Sequence, residues 1–320
     1  MQHLSLNDLD SGSSARIATA FGFNCFEFIA ALGGKHIDVL ASNPAFVEQG
    51  EKPSRSGIPI LFPFPNRINR GRFTYDGRGY VLPKDRVSYA GDHAIHGFCH
   101  DRPWRITRQT ASSVTGEFRL SHDAPDRREL WPADYLIEVR YEVLGPALRA
   151  DIRIANPDTV PLPFGLGTHP YFKLPLSGGS RFEDCLVQVP AASRYELVEY
   201  LPTGRKQPVE DNVDLRDGAA LKDLKLDDVY TDLSYEPHGL VSRVVDPAAG
   251  LEVVQTCDRT FRELVVLTPH WAQAVCIEPY TCVSDAINLD EEGFEAGLRV
   301  LQPGEEFRTW FELRVGRVTA

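Results

Sequence analysis

Alternation with a period of two residues recurs along this chain, and it leaves little room for anything but β-structure. In Ala147-Leu148-Arg149-Ala150-Asp151-Ile152-Arg153-Ile154 the even positions are apolar and the odd ones from 149 onward are charged. Phe307-Arg308-Thr309-Trp310-Phe311-Glu312-Leu313-Arg314-Val315 repeats the pattern near the C-terminus. Successive side chains of a strand point to opposite faces, so such a segment offers one face to a core and one to water. Further strands are expected over residues 23–30, 73–75, 79–82, 104–107, 114–120, 135–143, 186–189, 251–255, 263–267 and 274–278. Turn chemistry separates them, as in Asp76-Gly77, Leu144-Gly145-Pro146, Asn156-Pro157, Ser177-Gly178-Gly179 and Gln302-Pro303-Gly304. Long amphipathic segments of helical period are nearly absent. No tandem repeat or low-complexity linker divides the chain, and the polar stretch 210–228 reads as an exposed excursion. Many short strands without strand–helix alternation imply an antiparallel sandwich or barrel, here one all-β domain over residues 1–320.

Composition narrows the function. A formal net charge of -11 argues against nucleic acid or an anionic membrane as partner, because both reward clustered Lys and Arg. No run of about 18 apolar residues is present to span a bilayer. The start, MQHLSLNDLDSGSS, lacks a basic segment followed by an apolar one, so no secretory signal is expected. The six cysteines include no C-x-x-C pair, and Cys25 and Cys276 fall inside apolar runs. Buried free thiols suit a reducing cytosol better than a disulfide framework. The expectation is a soluble cytoplasmic protein whose oligomeric state the sequence leaves open.

One charge stands out against this background. Glu278 interrupts Ala274-Val275-Cys276-Ile277-Glu278-Pro279-Tyr280, otherwise an apolar run. An ionised carboxylate buried without a partner costs several kcal/mol, so such a residue is either paired structurally or used chemically. Three other segments fix polar residues among apolar, Gly and Pro neighbours. Phe164-Gly165-Leu166-Gly167-Thr168-His169-Pro170-Tyr171-Phe172 carries a histidine whose ordinary pKa, near about 6.5, suits proton donation at neutral pH. The alternative for His169 is a core histidine bonded to a backbone carbonyl. Gly57-Ile58-Pro59-Ile60-Leu61-Phe62-Pro63-Phe64-Pro65-Asn66-Arg67 is a proline-stiffened run that delivers Asn66 and Arg67 to a fixed place. Arg67 could grip hydroxyls or carboxylates, or belong with Arg70 and Arg72 to a solvated loop face. In His93-Ala94-Ile95-His96-Gly97-Phe98-Cys99-His100 the histidine spacing matches no usual structural zinc pattern, so hydrogen bonding to a substrate is the better reading. A histidine and a glutamate together suit paired general acid and base chemistry. No G-x-S-x-G elbow, G-x-G-x-x-G loop or phosphate-binding G-x-x-x-x-G-K-[ST] is present, which argues against nucleophilic, NAD, ATP and flavin chemistry.

Five motifs in order resemble the aldose 1-epimerase (galactose mutarotase) family: PNRI at 65–68, AIHG at 94–97, THPYFKL at 168–174, LDDVYTDL at 226–233 and IEPYTCVSDAIN at 277–288. The resemblance implies a large antiparallel β-sandwich of the galactose-mutarotase (supersandwich) type, with a small-molecule sugar in an open cleft across one sheet. It implies no metal and no organic cofactor. Carried over by position, Glu278 resembles the family's catalytic base and His169 its catalytic acid. Arg67, His96 and Asp227 resemble the residues that hydrogen-bond sugar hydroxyls. Asp227 is preferred to Asp228 because the family's aspartate lies three residues before an aromatic, here Tyr230. Asp285 and Asn288 match a D-A-[FIV]-N ending, read as support for the Glu278 strand. On this reading the Glu278 carboxylate takes the proton of the C1 hydroxyl while the His169 imidazolium protonates the ring oxygen. Phe64, Tyr171 and Trp271 are candidates to stack on the sugar, with core packing as the alternative.

The chain departs from the best-known galactose mutarotases in reading GIPILFPFPNRI where they have a GxxxGRxANRI pattern. Its HGFCHDRPW segment leans toward the hexose-6-phosphate 1-epimerase branch, but His100 stands where that branch carries a phosphate-gripping arginine. The expected activity is therefore anomer interconversion of a free aldose. A hexose-6-phosphate 1-epimerase and a non-catalytic sugar-binding protein of the same fold are the alternatives. A glycosidase or polysaccharide lyase fits less well, since a standard glycosidase needs two carboxylates flanking the bond.

Overall fold

The computed structural model describes residues 2–318, and two large sheets dominate it. One has nine strands in the order Arg105–Gln109, Ser113–Arg119, Leu136–Leu144, Ala147–Ala155, Glu306–Arg317, Leu251–Cys257, Leu240–Asp246, Leu186–Gln188 and Ala219–Ala220. The other runs Leu201–Pro208, Ala191–Val198, Asp227–Leu233, Glu263–Leu267, Ala274–Tyr280, Gly167–Thr168 and Ile60–Leu61, with Tyr171–Lys173 also paired to Ala274–Tyr280. A smaller sheet, His3–Asn7 to Lys35–Asp38, is built from the N-terminal residues. Every ladder described between these strands is antiparallel, so the all-β antiparallel sandwich expected from the alternation is the fold.

The alternation sets the faces. In the nine-stranded sheet Leu148, Ala150, Ile152 and Ile154 are buried, as are Phe311, Leu313 and Val315 on the neighbouring strand. Each such side chain contributes about 1.5–3 kcal/mol relative to leaving it in water. Trp310 turns outward, where the Arg149 guanidinium covers its ring at 4.3 Å. Leu264, Val266, Val275 and Ile277 of the second sheet join the same core, and Gln255 crosses between the sheets to donate to the Ile277 carbonyl at 3.2 Å. The residues between them on those two strands, including Val265, Leu267, Cys276 and Glu278, must then lie on the face turned away from the core. Register sets Glu278 opposite Val265, and Cys276 opposite both Leu267 and Tyr171.

Most expected strands form, with ends shifted by one or two residues, and residues 263–267 match without a shift. Several strands carry too little apolar signal to be expected. The Ala191–Val198 and Leu201–Pro208 hairpin is largely exposed or half-buried, and His3–Asn7 buries only Leu6. The polar stretch 210–228 is corrected in part. Leu215, Leu221, Leu224 and Leu226 within it are buried, and the chain re-enters the sheet at Asp227. All six cysteines are buried and free of disulfides. Among the described residues no helix is long and apolar enough to cross a membrane.

Candidate active site

The face of the second sheet turned away from the core opens into a cavity of about 930 Å³, lined among others by Arg67, His96, His169, Asp227 and Glu278. All five residues singled out from the sequence thus meet in one place, although 211 positions separate Arg67 from Glu278 (278 minus 67). Glycine makes part of this convergence possible. A Cβ on Gly167 would sit 2.6 Å from the Tyr280 ring, so only glycine lets the His169 segment lie against the Glu278 strand. Gly97, at φ 72, leaves no room either: a Cβ there would meet the Phe62 carbonyl oxygen at 2.1 Å.

Glu278 and His169 touch. The Nε2 atom of His169 lies 3.2 Å from Oε1 of Glu278, and both side chains are almost wholly buried. The second carboxylate oxygen, Oε2, accepts a 2.5 Å hydrogen bond from the Tyr280 hydroxyl. His169 is held by its backbone N–H, which donates to the Pro59 carbonyl at 3.0 Å. Its ring also stacks on Tyr171, with centroids 4.5 Å apart and planes 8° from parallel. Tyr171 is fixed in turn, its hydroxyl donating to the Ser54 carbonyl at 2.9 Å.

Burial decides the charge of this pair. It pushes the Glu278 carboxyl well above the usual carboxylate range, against the Tyr280 hydrogen bond that pulls the other way. It also brings the His169 imidazole down to about 3. Both shifts favour neutral groups, so burial works against a carboxylate–imidazolium pair and favours a proton held on the Glu278 side of the contact. The sequence alone suggests the opposite arrangement, carboxylate facing imidazolium. Desolvation, which an isolated reading of the residue types leaves out, reverses it.

The other three residues surround this centre. Arg67 lies on a short strand paired with His93–Ile95. Its guanidinium donates to the Asn66 side chain at 2.9 Å and covers the Tyr200 ring at 4.6 Å. Asp285 and Asn288 brace this segment rather than the Glu278 strand: Asp285 accepts from the Asn69 backbone N–H at 3.0 Å and from Asn288 at 2.7 Å. His96 adopts φ 68, an uncommon conformation for a histidine. Its ring centroid stands 5.6 Å from that of His169, and burial keeps it neutral, well below the ordinary imidazole range. Asp227 faces the cavity, while its neighbour Asp228 forms an ion pair with Arg194 at 2.5 Å. Strand alternation thus separates the two aspartates. Burial raises the Asp227 carboxyl, opposed by the charge of Arg67.

Several other expectations resolve. The three histidines of the 93–100 segment do not converge on one point. His93 Nδ1 accepts from the Arg70 backbone at 3.1 Å, and the His96 and His100 rings stand 6.1 Å apart. His100 lines the cavity, is kept from protonating by burial, and contacts the Ser88 hydroxyl at 3.2 Å. Tyr171 and Trp271 line the cavity. Phe64 does not: it packs against Phe98 and Trp131 at 5.8 and 5.7 Å, which makes it a core residue. The sequence reading missed Tyr280 and Tyr200. Tyr280 was within reach, because two residues along a strand returns to the face of Glu278. Tyr200 sits at the tip of the unexpected hairpin.

Residues 41–314 match the family described as aldose 1-epimerase. The chain belongs to the aldose 1-epimerase family. Among family relatives, the mouse galactose mutarotase is 30% identical over 277 residues, covering 78% of this chain and 76% of that protein. The uncharacterized protein YihR of Escherichia coli is 27% identical over 258 residues, covering 79% and 77% of the two chains. The fold agrees as well. A galactose mutarotase-like protein from Clostridium acetobutylicum superimposes with a TM-score of 0.84 at 21% identity, over 96% of this chain and 93% of that one. The GalM/aldose epimerase homologue of Caenorhabditis elegans does so with a TM-score of 0.80 at 21% identity, over 99% of each chain.

Proposed function

We propose that this protein is a carbohydrate 1-epimerase that interconverts the α and β anomers of a free aldose by acid/base ring opening. The observation that carries the reading is the direct 3.2 Å contact between His169 and Glu278 at a polar cavity. Ring opening of a cyclic hemiacetal needs one proton removed from the C1 hydroxyl and one delivered to the ring oxygen. A pair that holds one proton can do both. It reacts as Glu278 carboxylate and His169 imidazolium: the carboxylate takes the C1 hydroxyl proton, the C1–ring oxygen bond breaks, and His169 protonates the ring oxygen. The proton count of the pair is unchanged, but the proton now rests on Glu278.

Burial gives this transfer its direction. The low-dielectric site disfavours the charged starting arrangement and favours the neutral pair left beside the open-chain aldehyde. Because burial favours that neutral arrangement before the reaction as well, the cost of first forming the charged pair enters the barrier, and the Tyr280 hydrogen bond to Glu278 reduces it. Rotation about C1–C2 presents the other aldehyde face, and the same two groups close the ring with roles exchanged. Each positioned acid or base contributes about 10²–10⁴ in rate. Arg67, His96 and Asp227 hold the remaining hydroxyls so that only the C1 end turns.

Polarimetry on freshly dissolved single anomers of glucose, galactose, xylose and arabinose tests this. At least one should relax to equilibrium faster with the protein than without it. Because both proton transfers use side chains, EDTA should leave the rate unchanged. No acceleration across the panel would remove the proposal.

A further inference from the structure

One side chain beside the reacting pair has no part in the proton transfers. Cys276 lies two residues before Glu278 on the same strand and the same sheet face. It is wholly buried and packed with Tyr171, Ala41 and Ala274. Its sulfur, an imidazole nitrogen of His169 and a carboxylate oxygen of Glu278 all lie within 4.8 Å of one another, the only such trio of His, Cys, Asp or Glu donors among the described residues.

We propose that this trio is an inhibitory site for a thiophilic divalent cation of the zinc class. The donor set is one nitrogen, one sulfur and one oxygen, all ligand types that zinc accepts. A tetrahedral zinc at its usual bond lengths holds such atoms roughly 3.3–3.6 Å apart. His169 Nε2 and Glu278 Oε1 already stand 3.2 Å apart, so at most the sulfur must approach, by roughly an ångström. His169 and Glu278 line the cavity, which supplies the route in and leaves the fourth position to water. Asp227, also lining it, adds negative charge nearby, while Arg67 opposes. On binding, the Cys276 thiol proton and the proton held between Glu278 and His169 are both released to solvent, and the thiolate, the carboxylate and the imidazole lone pair bond the metal; nothing is oxidised or reduced.

The consequence rests on the proposed function: a metal on these atoms occupies the carboxylate oxygen and the imidazole lone pair that carry the proton. It would act as an inhibitor that competes with sugar, not as a cofactor. The test combines an activity readout with one that is independent of activity. Cobalt(II) added to the purified full chain should give a thiolate-to-cobalt absorption band, and micromolar zinc should slow anomer relaxation, with EDTA restoring it. Cys276→Ser should abolish the band, keep the uninhibited rate and need at least tenfold more zinc for the same inhibition. Cys276→Ala serves as the second variant if serine disturbs the fold. Cobalt binding without a thiolate band, or a serine variant as zinc-sensitive as the wild type, would overturn the proposal. If the protein moved no anomer at all, the cobalt band would still decide the site, while the epimerase reading alone would fall.

Discussion

Replacing Tyr280 by phenylalanine isolates the electrostatics of the pair without removing either member. The Tyr280 hydroxyl donates to Glu278 Oε2 at 2.5 Å, in a site where both residues are buried. A hydrogen bond to a charged acceptor contributes about 1.5–3 kcal/mol, against about 0.5–1.5 kcal/mol to a neutral one. The hydroxyl therefore favours the Glu278 carboxylate over the carboxyl by roughly 1–1.5 kcal/mol, and its loss makes the reactive arrangement that much rarer. Since about 1.4 kcal/mol is a factor of ten, kcat/KM should fall roughly five- to fifteenfold. Circular dichroism and thermal unfolding show whether the variant is folded, and polarimetry gives the rate. The alkaline limb of the pH profile should also move upward, because the carboxyl then holds its proton more tightly. A folded Tyr280→Phe protein with the wild-type rate would refute the argument that this hydrogen bond poises Glu278.

The acid limb of kcat/KM is a second expectation. A second proton joins the pair only when His169 is protonated beside a protonated Glu278. With the imidazole held down to about 3, activity should persist well below the ordinary imidazole range, and an acid limb near about 6.5 would contradict the buried-pair description. Phosphorylated sugars should not be preferred, because His100 is buried and kept neutral and Arg102 is engaged by Asp126 at 2.7 Å. Comparing glucose with glucose 6-phosphate at low ionic strength tests this; a preference of about tenfold or more for the ester, about 1.4 kcal/mol, would assign phosphate binding to another cavity cation such as Arg70. Glu263, buried beside Arg262, has its carboxyl raised by burial from 4.5 to about 7. The folded state thus binds this proton more tightly than the unfolded one. The stability it contributes is complete below about 4.5 and is lost as pH rises through about 7, a fall of roughly 3 kcal/mol. Glu263→Gln should flatten that fall in urea titrations at pH 5 and 8, and an unchanged pH dependence would exclude it.

How much of this was legible beforehand depends on which physical signal each element carries. Strands with one face in the core, such as Ala147–Ala155 and Glu306–Arg317, announce themselves by alternation. The 191–208 hairpin buries only Ala191, Tyr195 and Pro202 and carries too weak a signal, so Tyr200 at its tip was invisible. The polar stretch before Asp227 spaces its leucines irregularly, which hides that they reach the core. Among site residues, Glu278 and His169 stood out as polar groups in apolar or glycine-rich surroundings, and Asp227 was separable from Asp228 by its motif. Their charge states were not legible. Those depend on burial, which only the fold creates, and for Glu278 on the opposing hydrogen bond from Tyr280. The bracing of the Arg67 segment by Asp285, through the Asn69 backbone N–H, likewise spans 216 positions of sequence, beyond any local pattern.

The most direct test of the central claim is the rate of anomer relaxation with His169 and Glu278 altered singly and together. His169→Asn and Glu278→Gln each keep the shape of the side chain while removing its ability to exchange a proton at neutral pH. On the best substrate of the polarimetric panel, each should lose about 10²–10⁴ of the enzyme-catalysed rate with the fold intact. Because the two act as one proton-holding unit, the double variant should be little worse than either single one. A folded single variant that relaxes the anomers at close to the wild-type rate, or two losses that simply multiply in the double variant, would contradict the account.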